Sequence, residues 1–433
     1  MKILIAFFCL LFPFGYTPIH VVHLSNGDVR PGKLKWKFTN NSRSYSTPTV
    51  MYDKVYIGKE DGYCYAIDAL NGKVVWKFKT LGAVNSSPAV FNHQVFFGSM
   101  DGYYYAVDAQ TGRLRWRFKT GGEKKLGRKG LWGMQPNIFY MEDPFDFFIS
   151  SPVVDGKRNQ ETVYFGSTDG ILYALDAENG RLKWKFATSG AIRSTPCIYE
   201  GMVYFGSWDK YVYALDKDSG KLVWKYQTKS DPENHLLEGI QASVTADKGR
   251  IFIGSRDGYF YSLDAKNGSL NWEYSTWPSW IASTSFVQDS IVFLGTSDSF
   301  KLIGLDVATG KEKLSVKTKG YNFSSTTNLQ NRLFFGDFTG SCYSMNMDTG
   351  SIDVFFETDG RKKHKAKLLN QEGKLDFQQI AGNMDPSLYS TTVEVVNILH
   401  QLEPIIANPV ISNKTLYLST ASGSLYALSL SDN

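Results

Sequence analysis

Six histidines, His20, His23, His93, His235, His364 and His400, are the side chains best suited to acid–base or metal chemistry near neutral pH, yet no pair stands at metal-ligand spacing. No Gly-x-Ser-x-Gly nucleophile pattern and no phosphate-cradling glycine loop accompanies them. Most carboxylates fall in Asp-Gly turns or at a fixed distance before a glycine, where turn chemistry accounts for them, whereas a hard cation needs several oxygens converging on one point. Cys64, Cys197 and Cys342 are far apart and each lies in a predicted strand, so buried reduced thiols are expected rather than a disulfide framework. The informative residue type is tryptophan. Of ten, six recur at fixed spacing, and four do not: Trp132, Trp208, Trp277 and Trp280. Unscheduled tryptophans suit contact rather than catalysis.

The scheduled ones are placed by a repeat of about forty residues, too short to bury its own apolar faces. Each unit holds four runs of four to seven residues, rich in Val, Ile, Tyr, Phe and Trp and bounded by Gly or Asp-Gly, which read as strands A to D. Strand A starts at Ser46-Thr47-Pro48, Ser86-Ser87-Pro88, Ser150-Ser151-Pro152, Ser194-Thr195-Pro196, Ala242-Ser243-Val244, Ser283-Thr284-Ser285, Ser325-Thr326-Thr327 and Ala407-Asn408-Pro409. Asp68, Asp108, Asp176, Asp216, Asp264 and Asp306 each precede a Gly by four residues, and four residues later stand Trp76, Trp116, Trp184, Trp224, Trp272 and Leu314. Trp36 opens this tryptophan series and Val354 ends it. The Asp can hydrogen-bond turn N–H groups, the Gly supplies positive φ, and the indole can wedge between units, with the small residue two before each Asp leaving room for a neighbour's ring. Leu314 and Val354 then mark the softer seams.

These residues, Tyr-Ala-Leu-Asp, Asp-x-x-x-Gly-x-x-x-Trp and Ser-x-Pro, resemble the repeat of pyrroloquinoline-quinone (PQQ) type β-propellers over residues 32–430. The resemblance implies an eight-bladed, all-β propeller of four-stranded antiparallel blades, with a docking Trp between blades. Counting strands gives eight copies independently. The first strand is a D strand and the last complete run is A-B-C, so the N-terminal strand is expected to complete the C-terminal blade, which removes an open edge. Alternating Lys33, Lys35, Lys37 and Arg113, Arg115, Arg117 fit outermost strands with one wet face.

Two inserts interrupt the array, both after a D strand: residues 121–148, and residues 359–404, which begin with a basic run from Arg361, Lys362 and Lys363. In the second, Asp385-Pro386 is an N-cap and first-turn signal for a helix to Leu402, although alternation over Thr391–Asn397 also fits a strand. Antiparallel connectivity puts D-to-A and B-to-C loops on one face of the ring. Both inserts and all four extra tryptophans map there, so Trp132, Trp208, Trp277, Trp280, Arg361, Lys362 and Lys363 are the expected partner-binding residues.

Residues 1–20, with Lys2 before an apolar run to about Phe14, read as an export signal or N-terminal anchor, shorter than the ~20 residues that cross a bilayer. Cys9 follows Phe7 and Phe8, where a bacterial lipoprotein signal needs small residues. Residues 21–433 read as one propeller. A net charge of +5 over 433 residues gives no basic face for nucleic acid, and membrane contact is expected to be peripheral at most. In quinoprotein dehydrogenases of this repeat type, PQQ lies on the axis with Ca²⁺, often under a vicinal disulfide; this chain has no adjacent cysteines, and no catalytic residue, metal site or cofactor is expected. The chain looks most like the BamB-type outer-membrane assembly factors. That likeness implies a monomeric, periplasmic or envelope-associated scaffold for a protein partner. A PQQ- and Ca²⁺-dependent dehydrogenase of alcohols or sugars, and a ligand- or polysaccharide-binding propeller, are the alternatives.

Overall fold

The computed structural model describes residues 32–157, 160–230 and 238–430, and the expected export segment, residues 1–20, lies outside them. Eight four-stranded antiparallel sheets form the blades of a ring, and among the described residues a ninth, two-stranded sheet belongs to the first insert. In blade 1 the strands are A Thr49–Met51, B Lys54–Gly58, C Tyr63–Asp68 and D Val74–Lys79. Blade 8 takes its A, B and C strands from Val410–Ser412, Thr415–Ser419 and Leu425–Ser429, and its D strand from Lys33–Phe38 at the other end of the chain. Lys33 pairs with Ser429 and Phe38 with Leu425, so the ring closes as its strand order requires. A fully buried Lys59 braces this joint by donating to Gly423 O at 2.6 Å and to Asn40 Oδ1. Burial lowers its pKa to about 8.

B and C strands are buried almost throughout, while D strands alternate buried Trp with exposed Lys, Arg or Leu. This is the pattern of an outer strand with one wet face. Each docking indole leaves its own blade: Trp36, Trp76, Trp116, Trp184, Trp224 and Trp272 donate Nε1–H to the backbone O of Ala69, Ala109, Ala177, Lys217, Ala265 and Val307, at 2.9–3.1 Å. The acceptor always follows the turn aspartate of the next blade. The Asp carboxylate meanwhile holds the turn, as where Asp68 Oδ1 accepts from Leu70 N and Asn71 N.

The seat for the ring is the turn glycine. A Cβ on Gly72, Gly112, Gly180, Gly220, Gly268 or Gly310 would lie 2.6–2.7 Å from the preceding blade's indole, and φ there is positive, so both space and backbone demand Gly. The small residue two before each Asp has a different job from the expected one. Ala66, Ala106, Ala174, Ala214 and Ser262 lie directly across from Trp76, Trp116, Trp184, Trp224 and Trp272 of their own blade, and so clear space for their own indole.

The two seams without Trp turn out differently. Leu314 occupies the indole seat against Gly350. Val354 does not occupy one: the bulge in blade 7 falls between Cys342 and Tyr343 instead of after the small residue, which shifts the D strand by one. Val354 is therefore exposed, and Phe355, buried and edge-on to Phe334, sits against Gly32. The A-strand motif of blade 7 is likewise Ser324-Ser325-Thr326, one residue earlier than expected, since Ser324 Oγ accepts from Gly336 N as Ser86 Oγ does from Gly98 N.

That motif has two separate roles. Its first Ser closes strand A onto strand B of the same blade. Its second residue links blades around the axis: Thr47 N donates to Ser87 Oγ, Ser87 N to Ser151 Oγ, Ser151 N to Thr195 Oγ1, Thr195 N to Ser243 Oγ and Asn408 N back to Thr47 Oγ1, at 2.9–3.2 Å. Cys64, Cys197 and Cys342 are free thiols in strands.

The register shift in blade 7 is testable by urea denaturation. Phe355→Ala is expected to destabilise by about 3–5 kcal/mol, as removal of a buried aromatic does. Val354→Ala is expected to change stability by less than about 0.5 kcal/mol. Equal losses would contradict the shift.

Candidate functional site

The two inserts rise on one face and meet. In the first, Gly127–Lys129 pairs with Tyr140–Glu142 as a short hairpin enclosing a 3₁₀ turn at Leu131–Gly133. The second is helical: α1 Asp359–Leu368, α2 Phe377–Ala381 and α3 Tyr389–Leu399, followed by a 3₁₀ turn at His400–Leu402. Thr358 caps α1, Asp359 is in its first turn, and Lys365 and Lys367 are in its last, an arrangement that suits the helix dipole. Helix α3 starts later than expected. Asp385 instead closes a turn by accepting from Ser387 N and Oγ, and Leu388 is the N-cap residue. The β-branched run Thr391–Val396 suits a strand but is helical because Thr391, Thr392, Val395, Val396 and Leu399 form one buried face.

Contacts between the inserts are specific. Gln135 N donates to Ser387 O at 2.8 Å, Tyr389 N to Gln135 O at 3.0 Å and Tyr389 Oη to Glu142 O at 2.8 Å. Leu131, Met134 and Met141 bury beneath them with Trp132 and Tyr389 alongside. Under this junction a larger apolar cluster closes the mouth of the ring, drawing Phe147 from the first insert, Leu368 and Leu399 from the second, and Tyr45, Tyr321, Phe323 and Phe338 from ring loops. Tyr45 stacks on Phe147 at 4.9 Å. Below it the axis retains a cavity of about 70 Å³, lined by Thr47, Ser87, Ser151, Phe148 and Arg193 among others. A larger polar depression, about 370 Å³, lies at the outer seam of blades 3 and 4, where Lys183, Trp184 and Lys217 border it, away from the cap.

Buried ion pairs fasten the first insert to the blades. Arg193 Nη2 meets Asp146 Oδ2 at 2.6 Å and its Nη1 lies 3.6 Å from Glu123 Oε2. Arg256 Nη1 meets Asp143 Oδ2 at 2.6 Å, and its Nε and Nη2 donate to Gln241 Oε1. Burial pushes the Glu123 and Asp143 carboxyls up, while Arg193 and Arg256 pull them back down. Asp257, buried and accepting from Tyr261 Oη at 2.6 Å, is pushed up to about 6. The arginines pair with carboxylates of the first insert, and among the described residues no three His, Cys, Asp or Glu side chains converge as a metal set.

Three of the four extra tryptophans join this network. The Arg256 guanidinium lies between the rings of Trp208 and Trp280, 4.8 and 4.4 Å from their centroids, and Trp132 packs on Trp280 at 5.5 Å. Only Trp277 of the four is exposed, at 42%. Arg361 points inward, its Nε 2.7 Å from Glu357 Oε1 and its Nη1 donating to Thr339 O, while Lys362 and Lys363 are exposed. Sequence reasoning missed Arg193 and Arg256, since neither occupies a distinctive motif. The paired carboxylates of Met-Glu-Asp-Pro-Phe-Asp in the first insert were the available signal for buried partners.

Burial holds His400 neutral and lowers its pKa to about 4. Its Nδ1 faces Val396 O at 2.7 Å, which makes Nε2 the acceptor for Tyr45 Oη at 3.3 Å. The unfolded chain binds a proton near pH 6.5 and the folded one only near 4, so stability present above 6.5 is lost as pH falls through that window, by roughly 3 kcal/mol at most. Urea midpoints from pH 7 to 4 are expected to fall less steeply for His400→Gln than for the parent. Arg256→Met, which leaves Asp143 buried without its partner, is expected to destabilise by about 3–5 kcal/mol.

The family model described as outer membrane protein assembly factor BamB matches residues 23–143, 128–279 and 233–433. Among solved structures, BamB from Moraxella catarrhalis superposes with a TM-score of 0.65 at 15% identity, covering 92% of this chain and 99% of that one. Quinohemoprotein alcohol dehydrogenase from Comamonas testosteroni superposes with a TM-score of 0.64 at 14% identity, covering 92% of this chain and 76% of that one. The beta-alanine-activating enzyme of Danio rerio is 50% identical over 36 residues, 8% of this chain and 3% of that protein, the length of about one repeat. With matches that together run almost end to end, this chain belongs to the BamB family of PQQ-like β-propellers.

Proposed function

We propose that the chain is an extracytoplasmic, non-catalytic scaffold that binds a protein partner in the cell envelope through its capped face, with outer-membrane protein assembly as its setting. The observation that carries this reading is the cap itself: two inserts converge on one face, seal the axis and present a joint outer surface. Family membership supports the envelope setting. Trp277, Lys362 and Lys363 remain the sequence-derived contact residues; Trp132, Trp208, Trp280 and Arg361 act from beneath by holding the face in place.

We further propose that the chain binds no PQQ. A ligand-sized pocket occupies about 300 Å³ or more. The axial cavity of about 70 Å³ is far smaller, and Phe148 and Phe323, which line it, belong to the same apolar cluster as Tyr45 and Phe147. PQQ with Ca²⁺ added to the purified chain is accordingly expected to give no thermal shift and no dye-linked oxidation of alcohols or sugars; cofactor-dependent turnover would end the scaffold reading. In affinity capture from envelope extracts, Trp277→Ala together with Lys362→Glu and Lys363→Glu is expected to reduce recovery of the partner with an unchanged melting temperature. Trp280→Ala alone is expected to lower the melting temperature, because it uncovers Arg256.

A further inference from the structure

The outward surface of the cap differs from the rest of the ring. Ile138, Phe139 and Tyr140, at the tip of the first insert, are 69%, 60% and 55% exposed, three consecutive large side chains turned to solvent. Leu388, also exposed, adjoins this segment from the second insert through the Gln135–Leu388 bridge. The tip is held outward by its base. Leu131, Met134 and Met141 are buried, Lys129 pairs with Tyr140 across the hairpin, and Tyr389 ties the hairpin to α3.

Cations outnumber carboxylates on the exposed surface of the first insert. Lys124, Lys125 and Lys129 are exposed on the first insert, against one exposed carboxylate of that insert, Glu142, which lies 3.8 Å from Lys125 Nζ. The insert's other carboxylates, Glu123, Asp143 and Asp146, are consumed inside by Arg193 and Arg256. Burial of three acids thus leaves the surface with an excess of cations that the sequence of the insert, basic then acidic, conceals.

Resting on the scaffold reading, we infer that this tip is a docking site for an acidic protein segment that carries an apolar anchor. The anchor packs on Ile138, Phe139 and Leu388, and the flanking carboxylates meet Lys124, Lys125 and Lys129. Apolar contact supplies affinity, and the charges supply attraction and register. An anionic lipid surface fits less well. Glu142 and Asp385 border the same patch, and a planar sheet of phosphates would face both with like charge, whereas a peptide can place its own charges around them.

The test uses the full chain and two fluorescent synthetic peptides of equal length with a central Leu-Phe pair, one flanked by Asp and Glu and one by Lys, plus vesicles containing phosphatidylglycerol. The acidic peptide is expected to bind, more weakly as salt rises, and to lose about tenfold in affinity with Ile138→Ser/Phe139→Ser and with Lys125→Glu/Lys129→Glu. Unchanged melting temperatures would show both variants folded. Failure of the acidic peptide to bind, or equal affinity for the lysine peptide, overturns the inference, and vesicle binding lost in Ile138→Ser/Phe139→Ser assigns the tip to lipid instead. If the envelope partner is retained by both variants but released by the Trp277, Lys362 and Lys363 substitutions, the scaffold reading stands and this inference falls.

Discussion

The ring depends on one contact repeated at every seam: a large flat or branched side chain on the outer strand of one blade seated against the turn glycine of the next. A single blade buries little, because its outer strand is wet on one face and its sheet is only four strands wide. Docking lets the indole bury against a neighbour while its N–H finds a backbone carbonyl there, so neither the ring nor the polar atom is left unsatisfied. Full burial of a large apolar side chain contributes about 1.5–3 kcal/mol, and closure allows the last seam to contribute as the others do. The aspartate, replaced by Asn346 in blade 7, and the glycine recur from turn to turn along the chain because they build the seat.

This dependence explains which parts of the molecule were legible in the sequence. Blade number, strand order, closure and the side of the inserts follow from spacings that sterics make rigid. Misplacements occurred where a residue type was replaced. Without Trp, the D strand of blade 7 gave no marker for its register, and a bulge moved Phe355 into the seat aligned with Val354. Without Pro, the blade 7 motif slid by one, since Ser324, Ser325 and Thr326 all carry hydroxyls. Helix α3 was ambiguous locally: Thr and Val favour strands, and only packing against the mouth of the ring selects the helix. Arg193 and Arg256 became visible only with their carboxylate partners, which lie 47 or more positions away.

Polar groups at the axis and beneath the cap follow a common logic. Around the axis, backbone N–H groups that strand pairing leaves over are satisfied by hydroxyls and an amide of adjacent blades. Under the cap, two arginines take up three carboxylates of the first insert, with two indole faces shielding one guanidinium. Buried pairs of this kind add little net stability relative to apolar packing, but an unpaired member is strongly unfavourable. They therefore fix where the insert sits more than they strengthen the fold.

The positions of the inserts follow from that arrangement. One leaves the ring after blade 2 and the other after blade 7, so they approach from different sectors and can meet only over the mouth. Their meeting point is backbone to backbone, at Gln135 with Ser387 and Tyr389, which sets the relative placement of Ile138 and Leu388 without relying on side-chain contacts alone. A surface shared in this way is formed only when both inserts are folded and the ring beneath them is closed. Sealing the axis and building the outer face are thus one structural event: the aromatic residues that fill the mouth are the floor on which the exposed tip stands.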